Sequence, residues 1–341
     1  MAVANPIKHV LIIVKENHTF DNYFATFPGA DGVQALPAAP DPIADPLHDH
    51  AAWLRSLKTK GGQKMGYSKT QVAPYWAYAQ QYTLCDNYFT DVASQSEPNH
   101  LFLIAADSPV IDNSSAHRFY QPVPPYPLHS LPATLETAGR TWRNYADPRS
   151  SYFDNIVGLA GHRWNVPSAQ FDRDVASGSL PDVAWLYAPG ALSEHPGNWT
   201  GGPVIGPGIA WTVARVNALA ASPLWAETAI FITFDDWGGW YDHVTPQQNR
   251  IWTGGGHAGY QGSQFRYGNR VPCMVVSPYA RQQVNHSFTS HVSIIKFCLR
   301  LFNLPAWGAA ALAKGDPSGD LWDSFAFTQA PRLNPPSSVP T

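Results

Sequence analysis

The chain has 341 residues, a formal net charge of −3 and only 14% charged residues, with no run of Lys and Arg. This composition argues against a nucleic-acid-binding protein, because such proteins depend on clustered positive charge. Aromatic residues make up 13% of the chain and are accompanied by 31 Pro and 26 Gly, which is typical of a loop-rich globular protein and excludes a disordered chain or a helical bundle.

Cysteine and hydropathy patterns exclude further classes of protein. Cys85, Cys273 and Cys298 form no C-x-x-C pair, so the sequence predicts neither a cysteine zinc site nor a full disulfide set. No apolar stretch reaches about 18 residues, so we predict no transmembrane segment. Residues 1–5 are too short for a signal peptide, which fits a cytoplasmic protein or a secreted or periplasmic one whose leader has been removed.

Strand-like and helix-like patterns alternate along the chain. The predicted elements are a strand at 10–14, a loop at 25–50, helices at 51–60 and 74–82, a strand at 83–91, a helix at 98–106, loops at 108–129, a helix at 131–139, strands at 141–145 and 183–187, a helix at 208–221, a strand at 228–234, a Gly- and aromatic-rich loop to about 270, a strand at 271–277, a helix at 287–302 and an irregular tail from about 315. This alternation predicts an α/β fold with a mostly parallel sheet and helices on both faces. We expect one domain over 1–341.

Two predicted buried strands are followed by polar residues. Glu16 and Asn17 follow the first strand, and Asp235 and Asp236 follow the strand at 228–234. Adjacent carboxylates repel each other at low dielectric unless a cation lies between them. Their oxygen atoms suit Ca²⁺, Mg²⁺ or Mn²⁺ better than a thiolate zinc site would. The alternative at both places is a polar strand end or a solvated turn.

Ser96 is the candidate nucleophile, because it lies just before a predicted helix whose first turn contains Pro98. A helix N-terminus favours anions, and a hydroxyl that also binds a metal loses its proton more easily. The alternative is that Ser96 only caps the helix. His195 and His48 lie in loops and are candidates to protonate a leaving group or to donate a hydrogen bond to phosphate. The alternative for each is an ordinary exposed histidine.

The remaining histidines carry weaker predictions. Asp242 could orient the imidazole of His243, or the two could form a structural pair. We expect His286 and His291 to be structural, and we assign no role to His162 and His257.

Five segments resemble, in the same order, the motifs of the bacterial phosphoesterases that include phosphocholine-type phospholipase C and an acid phosphatase. These segments are 16–24, similar to E-N-R-S-F-D-H-Y-F; 45–48 with 61–65, similar to D-P-x-H … G-G-K-M; 96–100, similar to T/S-x-P-N-R; 235–244, similar to Y-D-E-x-G-G-F-Y-D-H-V; and 270–272, 277–281 and 291–293, which match the closing segment. The resemblance extends from residue 7 to about residue 305.

The resemblance implies an alkaline-phosphatase-like, three-layer α/β/α sandwich. It implies a divalent metal ion, with Zn²⁺ or Fe remaining open beside Ca²⁺, Mg²⁺ and Mn²⁺. It also implies residue roles, which are metal binding by Glu16, Asn17, Asp235 and Asp236, nucleophilic attack and metal binding by Ser96, and phosphate contact by His48 and His195.

The sequence departs from the family pattern at four positions. His18 and His100 stand where the motifs have Arg, Asn22 stands for His, and Asp236 stands for the commoner Glu. Because two arginines of the family motifs are replaced by histidine, the motifs do not predict the identity of the substrate. No counterpart of the C-terminal β-domains of the longer phospholipases is recognised, and on this ground we expect a phosphomonoesterase or a generic phosphoesterase.

Three functional hypotheses remain. The first is a metal-dependent phosphatase that acts through Ser96 and a phosphoserine intermediate. The second is a phospholipase C for choline-type lipids, with transient contact to phospholipid and a cage from Trp237, Trp240 and Tyr241. Trp237 and His243 are the predicted substrate-binding residues. The third is a non-catalytic phosphate- or metal-binding module. The oligomeric state is left open.

Overall fold

The computed structural model describes residues 5–59, 61–114, 122–148, 150–197, 201–255, 259–307, 312 and 315–339. His257, which has no predicted role, lies outside these residues. The strands are β1 (His9–Lys15), β2 (Thr83–Cys85), β3 (Tyr88–Phe89), β4 (Trp142–Tyr145), β5 (Asn165–Val166), β6 (Val183–Tyr187), β7 (Thr228–Phe234), β8 (Arg250–Ile251), β9 (Gln264–Arg266), β10 (Cys273–Val276), β11 (Gln283–Asn285) and β12 (Thr289–Ser290).

The helices lie between these strands. The α-helices are α1 (Phe20–Phe24), α2 (His50–Thr59), α3 (Ala73–Gln81), α4 (Ser96–Ala105), α5 (Leu131–Thr137), α6 (Gln170–Ser177), α7 (Ile205–Ala220) and α8 (His291–Leu301). Short 3-10 helices span Phe153–Asn155, Gly190–Ser193, Pro223–Glu227 and Trp322–Ser324. Within the described residues, no helix combines the length and the apolar character that a bilayer crossing requires.

The central sheet has the strand order β11-β2-β10-β7-β1-β6-β4-β5 in the described part of the chain. β1 pairs in parallel with β6 and β7, whereas β10 is antiparallel to both β7 and β2. The loop after β7 stays at the carboxyl end of that strand, so the chain enters β10 there and must run back. The predicted mostly parallel sheet is therefore confirmed, with one reversed strand.

Helices cover both faces of the sheet. Lys15 donates a hydrogen bond to the carbonyl of Gly208 in α7, whereas Tyr187, which pairs with Val14, stacks on His100 in α4. Because consecutive strand residues point to opposite faces, α4 and α7 lie on opposite sides of the sheet. α4 packs with α5 and α8, and α7 packs with α3 and α6. The α/β/α sandwich is therefore confirmed.

Several predicted boundaries were wrong. The predicted strand at 83–91 is two short strands, β2 and β3. The predicted helix at 287–302 begins later, because Ser290 and Ser293 form a capping box at the start of α8. Helix α6 was missed, since it is short and only Phe171 and Val175 supply its apolar face. Helix α1 was also missed, because its single turn is too short for a periodic signal.

Candidate active site

The carboxyl ends of β1 and β7 bring four predicted metal ligands together. Lys15 pairs with Phe234 in the register of the two strands, so Glu16 and Asn17 leave the sheet beside Asp235 and Asp236. The backbone N–H of Asn17 donates to Oδ1 of Asp235 at 3.0 Å. Asp235 and Asp236 are fully buried, and Glu16 is one-fifth exposed, so the cluster opens to solvent on the Glu16 side.

Ser96 is the first residue of α4, and its hydroxyl donates to Oδ2 of Asp236 at 3.1 Å. The N-cap of the helix is Gln95, whose side chain makes no capping hydrogen bond, and the Ser96 side chain is turned towards the strand ends instead. Ser96 is 8% exposed. Its hydroxyl therefore lies against a carboxylate of the cluster at a helix N-terminus.

The two predicted catalytic histidines flank the side chain of Asn17. Nε2 of His48 lies 3.2 Å and Nε2 of His195 lies 3.0 Å from Nδ2 of Asn17. Each Nδ1 faces a backbone carbonyl, that of Pro46 at 2.7 Å and that of Pro196 at 2.5 Å. We assign the proton to Nδ1 in both rings, so both Nε2 atoms accept from the Asn17 amide. This arrangement orients the amide and fixes which of its ends carries the oxygen.

The Asn17 Oδ1 atom is buried and has no hydrogen-bond partner among the described residues. An unsatisfied buried carbonyl costs about 1–3 kcal/mol, and coordination to a cation would remove that cost. Burial and the neighbouring Asp235 raise the pKa of Glu16 and of Asp236. A divalent cation would remove the repulsion among these carboxylates. The residues present therefore fit an oxygen-coordinated divalent cation.

His100 supports Asp235 from α4. Burial raises the pKa of Asp235, but hydrogen bonds from His100 and Ser96 and the charge of His100 outweigh it and lower the pKa to about 2. Nε2 of His100 lies 3.3 Å from Oδ2 of Asp235. In the sequence His100 is visible only as a departure from arginine, and this contact could not be predicted from it. Asp235 therefore stays ionised at neutral pH.

A buried ion pair joins the two loops that carry Glu16 and His195. Nζ of Lys15 lies 3.1 Å from Oε1 of Glu194, and both side chains are fully buried. Each residue immediately precedes a site residue, and the N–H of Glu16 donates to the carbonyl of Ser193 at 3.0 Å. Removing one partner of such a pair costs about 3–5 kcal/mol. The pair therefore fixes Glu16 and His195 relative to each other, a role that the sequence analysis missed.

The two predicted substrate-binding residues lie elsewhere. Trp237 is 1% exposed, and its indole N–H donates to the backbone carbonyl of His48 at 2.9 Å, so it supports the His48 loop from behind. Nδ1 of His243 contacts Asp21 at 2.8 Å, and its Nε2 contacts Asp31 at 3.2 Å. In the structure, therefore, Trp237 has no free surface for a substrate, and His243 belongs to a separate cluster.

That separate cluster is a second place where acidic groups and a histidine converge. Ligand atoms of Asp21, Asp242 and His243 lie within 4.8 Å of one another. The guanidinium of Arg270 lies among them, with Nη2 at 3.1 Å from Asp21 and Nε at 2.9 Å from Asp242. A buried cation is therefore already present, and this cluster does not call for a metal ion.

The remaining histidines have structural contacts. Nε2–H of His291 donates to the backbone carbonyl of Asp235 at 2.8 Å, and burial lowers the pKa of this ring to about 4. His286 pairs with Asp86 at 2.8 Å, and His162 stacks on Trp142 with ring centroids 5.0 Å apart.

Gly238 is a position where a single methyl group should disturb the cluster. Its φ is +56°, and a Cβ built there would lie 2.1 Å from the backbone oxygen of Asn17. We expect Gly238→Ala to displace Asn17 and to weaken the binding of a divalent cation about tenfold or more, since strained, overpacked sites cost about 1–3 kcal/mol. Calorimetric titration with Mn²⁺ measures the change.

Gly178→Ala is the matched control for this prediction. Gly178 also has a positive φ, +68°, but a Cβ there meets nothing within 4 Å. Gly178→Ala should lower the free energy of unfolding by about 1 kcal/mol and leave the cation affinity unchanged. Wild-type cation affinity in Gly238→Ala would show that Asn17 is not part of the cation site.

Comparisons with known proteins identify relatives along most of the chain. A family model described as "Phosphoesterase family" matches residues 45–305. The non-hemolytic phospholipase C of Pseudomonas aeruginosa is 28% identical and aligns with 94% of the chain and 57% of its own length. Phospholipase C A of Mycobacterium tuberculosis is 26% identical, over 97% of the chain and 79% of the relative. The chain thus spans little more than half the length of the Pseudomonas relative.

Solved structures share the fold at low sequence identity. Murine ectonucleotide pyrophosphatase/phosphodiesterase 5, an inactive variant in complex with AMP, superposes with a TM-score of 0.53 and 9% identity, covering 94% of this chain and all of that one. The lipoteichoic acid synthase LtaP of Listeria monocytogenes gives a TM-score of 0.51 and 7% identity, covering 89% and 73%. The predicted class of enzyme, a hydrolase of phosphoric esters, agrees with the family description and with the names of the relatives.

Proposed function

The chain belongs to the Phosphoesterase family, which confirms the resemblance carried by its motifs, and from this premise we propose that it is a metal-dependent phosphoester hydrolase with Ser96 as its nucleophile. The observation that carries the proposal is the contact of the Ser96 hydroxyl with Asp236, next to the unpartnered Oδ1 of Asn17. A non-catalytic module would not require a hydroxyl at this point.

Glu16, Asn17, Asp235 and Asp236 would hold the cation, and Ser96 is close enough to join them. Ca²⁺, Mg²⁺ and Mn²⁺ suit these oxygen donors best. A bound divalent cation would polarise a phosphoryl oxygen and lower the pKa of a coordinated hydroxyl.

The protein's own groups position the reaction. Asp236 accepts the hydroxyl proton of Ser96 in a hydrogen bond and so points the Oγ lone pairs away from itself, towards an incoming phosphorus atom. Attack by Ser96 would expel the alcohol and leave phosphoserine, which water then hydrolyses. His48 is 10% exposed and His195 is 18% exposed, so both line the approach to Ser96.

His195 is the better candidate for the acid that protonates the leaving alcohol. Burial lowers its pKa, but the carboxylates of Glu16 and Asp45 outweigh burial and raise it above the ordinary value. In the neutral ring Nε2 accepts from the Asn17 amide, and the raised pKa favours a second proton on this atom, which would break that hydrogen bond and supply the proton that a general acid transfers. His48, which lies deeper and 3.9 Å from Asp236, is placed to contact a phosphoryl oxygen.

A phospholipase C is the second candidate, since the relatives are named phospholipase C, and the preference for choline-type lipids is what the motif resemblance implies. Such an enzyme would need an aromatic cage for the quaternary ammonium. The predicted cage residues do not form one here. Trp237 and Trp240 are buried, and Trp240 stacks on His18. The Tyr241 ring makes a cation–π contact with Lys64, whose Nζ lies 4.8 Å from the ring centroid. The geometry therefore favours a phosphatase.

Hydrolysis of p-nitrophenyl phosphate and of p-nitrophenyl phosphorylcholine distinguishes the candidates. We expect kcat/KM about tenfold or more in favour of the monoester, because Trp237, Trp240 and Tyr241 form no cage and so do not supply the cation–π binding, up to about 2 kcal/mol, that a choline group would gain. Chelator-treated protein should recover activity with an added divalent cation. Preference for the diester would support the phospholipase, and no turnover with Ca²⁺, Mg²⁺, Mn²⁺, Zn²⁺ or Fe²⁺ would support the non-catalytic module.

A further inference from the structure

The segment after β4 forms one wall of the approach to the candidate active site. A cavity of about 210 Å³ opens there, and Glu16 and His195 lie on one side of it and Pro148 and Ser150 on the other. The cavity is large enough for a small ester group beside Glu16 and His195. Tyr152 follows in the same segment.

Tyr152 is held between two anchored neighbours. Oγ of Ser151 accepts a hydrogen bond from Asn144 in β4 at 3.0 Å. Phe153 is fully buried against Trp185, with ring centroids 5.3 Å apart. The backbone of Tyr152 is therefore fixed on both sides, so its ring has a defined position.

The Tyr152 ring faces the site residues. It packs on His100 with centroids 4.8 Å apart, and the same imidazole lies 3.3 Å from Asp235. The other face of His100 is covered by Tyr187, at 5.4 Å. Burial, followed by the charges of Glu16, Glu97, Asp235 and Asp236, raises the pKa of Tyr152, so the phenol stays protonated.

The hydroxyl of Tyr152 lacks a hydrogen-bond partner within the part of the chain that the structure describes, although the side chain is only partly exposed. Two other tyrosines near carboxylates are satisfied within the fold, whereas the buried hydroxyl of Tyr187 also has no partner among the described residues. The hydroxyl of Tyr126 donates to Glu97 at 2.8 Å, and that of Tyr145 donates to Asp174 at 2.6 Å. A donor that the fold leaves open at the mouth of a site is available to a ligand.

We propose that the Tyr152 hydroxyl donates a hydrogen bond to a non-bridging phosphoryl oxygen of the substrate. This inference rests on the proposed function and adds to it a catalytic residue that the motifs do not include. In phosphoryl transfer the equatorial oxygens carry negative charge in the transition state, and a fixed donor aimed at them stabilises it. The bond involves no proton transfer, so the phenol remains protonated throughout.

Tyr152→Phe tests the proposal on a series of aryl phosphates whose leaving phenols differ in acidity. We expect kcat/KM to fall about 10- to 100-fold, by the same factor for every member, because the lost contact is to the phosphoryl group. Affinity for inorganic vanadate, measured by calorimetry on the cation-loaded protein, should fall as well. The melting temperature and cation affinity should stay unchanged. Tyr145→Phe, which removes a hydroxyl outside the site, should retain wild-type kinetics.

Two outcomes would overturn the inference. One is wild-type kcat/KM and vanadate affinity in Tyr152→Phe. The other is a loss that grows as the leaving phenol becomes less acidic, which would move the contact to the leaving oxygen. If the wild-type protein hydrolyses no phosphoester, the proposed function fails, and the vanadate affinities of the two proteins still decide whether Tyr152 contacts a phosphate-like anion.

Discussion

Ser96→Ala is expected to lower kcat for p-nitrophenyl phosphate by about 10³-fold or more, because loss of the nucleophile removes the covalent route. The side chain is small and 8% exposed, and its hydroxyl donates to Asp236, so its removal leaves no large cavity. Affinity for inorganic phosphate should change far less than kcat. Steady-state kinetics measure kcat, calorimetry measures the anion affinity, and a thermal melt measures the stability of the variant.

Ser94→Ala is the matched control for the nucleophile. Ser94 lies two residues earlier and donates to Asp112, which keeps hydrogen bonds from the N–H of His50 and the hydroxyl of Tyr260. Its loss should therefore cost about 1 kcal/mol of stability or less and leave kcat within about twofold. A Ser96→Ala variant with near-normal kcat would remove Ser96 from the mechanism.

Asp235→Asn is expected to weaken divalent-cation binding about 100-fold and to lower kcat/KM to a similar extent. The change removes one negative charge from a buried carboxylate set, where charge is screened least. The fold should persist, because the amide can still accept from the N–H of Asn17 and can donate to His100. Elemental analysis after gel filtration and calorimetric titration with Mn²⁺ give the occupancy and the affinity.

Asp174→Asn separates this effect from the general loss of a buried carboxylate. Asp174 is 4% exposed and binds Tyr145 and Gln170, away from the strand ends that carry the site. The Asp174→Asn variant should be less stable than the wild-type protein but should bind the cation with the same affinity. Wild-type metal content in Asp235→Asn would contradict the assignment of Asp235 as a ligand.

The sequence was sufficient to predict the centre of the fold. β1 and β7 are continuous apolar runs, which indicate strands buried on both faces, and parallel pairing places their carboxyl ends at one edge. Glu16 and Asp235 were therefore expected at the same edge of the sheet, and the observed pairing of β1 with β7 makes them neighbours. Motif resemblance then added Ser96, His48 and His195, which no periodicity could locate, and the structure places all of them around the same strand ends.

Contacts between segments that are distant in the chain could not be predicted from the sequence. Lys15 appears in it as the polar end of a strand and Glu194 as a loop residue, and only the folded chain makes them a buried pair. Tyr152 shows no motif, because its position depends on how the segment after β4 packs on α4.

Composition was misleading for the aromatic residues. Trp237 and Trp240 resembled a ligand cage because they lie beside Asp235 and Asp236 in the chain. The positive φ of Gly238 and Gly239 turns that segment against Asn17 and the loop before His48, and both indoles are buried there. His18 is also fully buried. Burial lowers its pKa to about 3, so it is neutral and packs against Trp240, and it does not replace the charge of an arginine.

The stereochemical course at phosphorus tests the central claim most directly. A phosphorothioate monoester made chiral at phosphorus with two oxygen isotopes is hydrolysed by the wild-type enzyme in water of the third isotope, and the configuration of the thiophosphate product is determined. Attack by Ser96 followed by attack of water gives two in-line displacements, so we predict retention of configuration. Inversion would mean a single direct attack by water and would contradict a phosphoserine intermediate on Ser96.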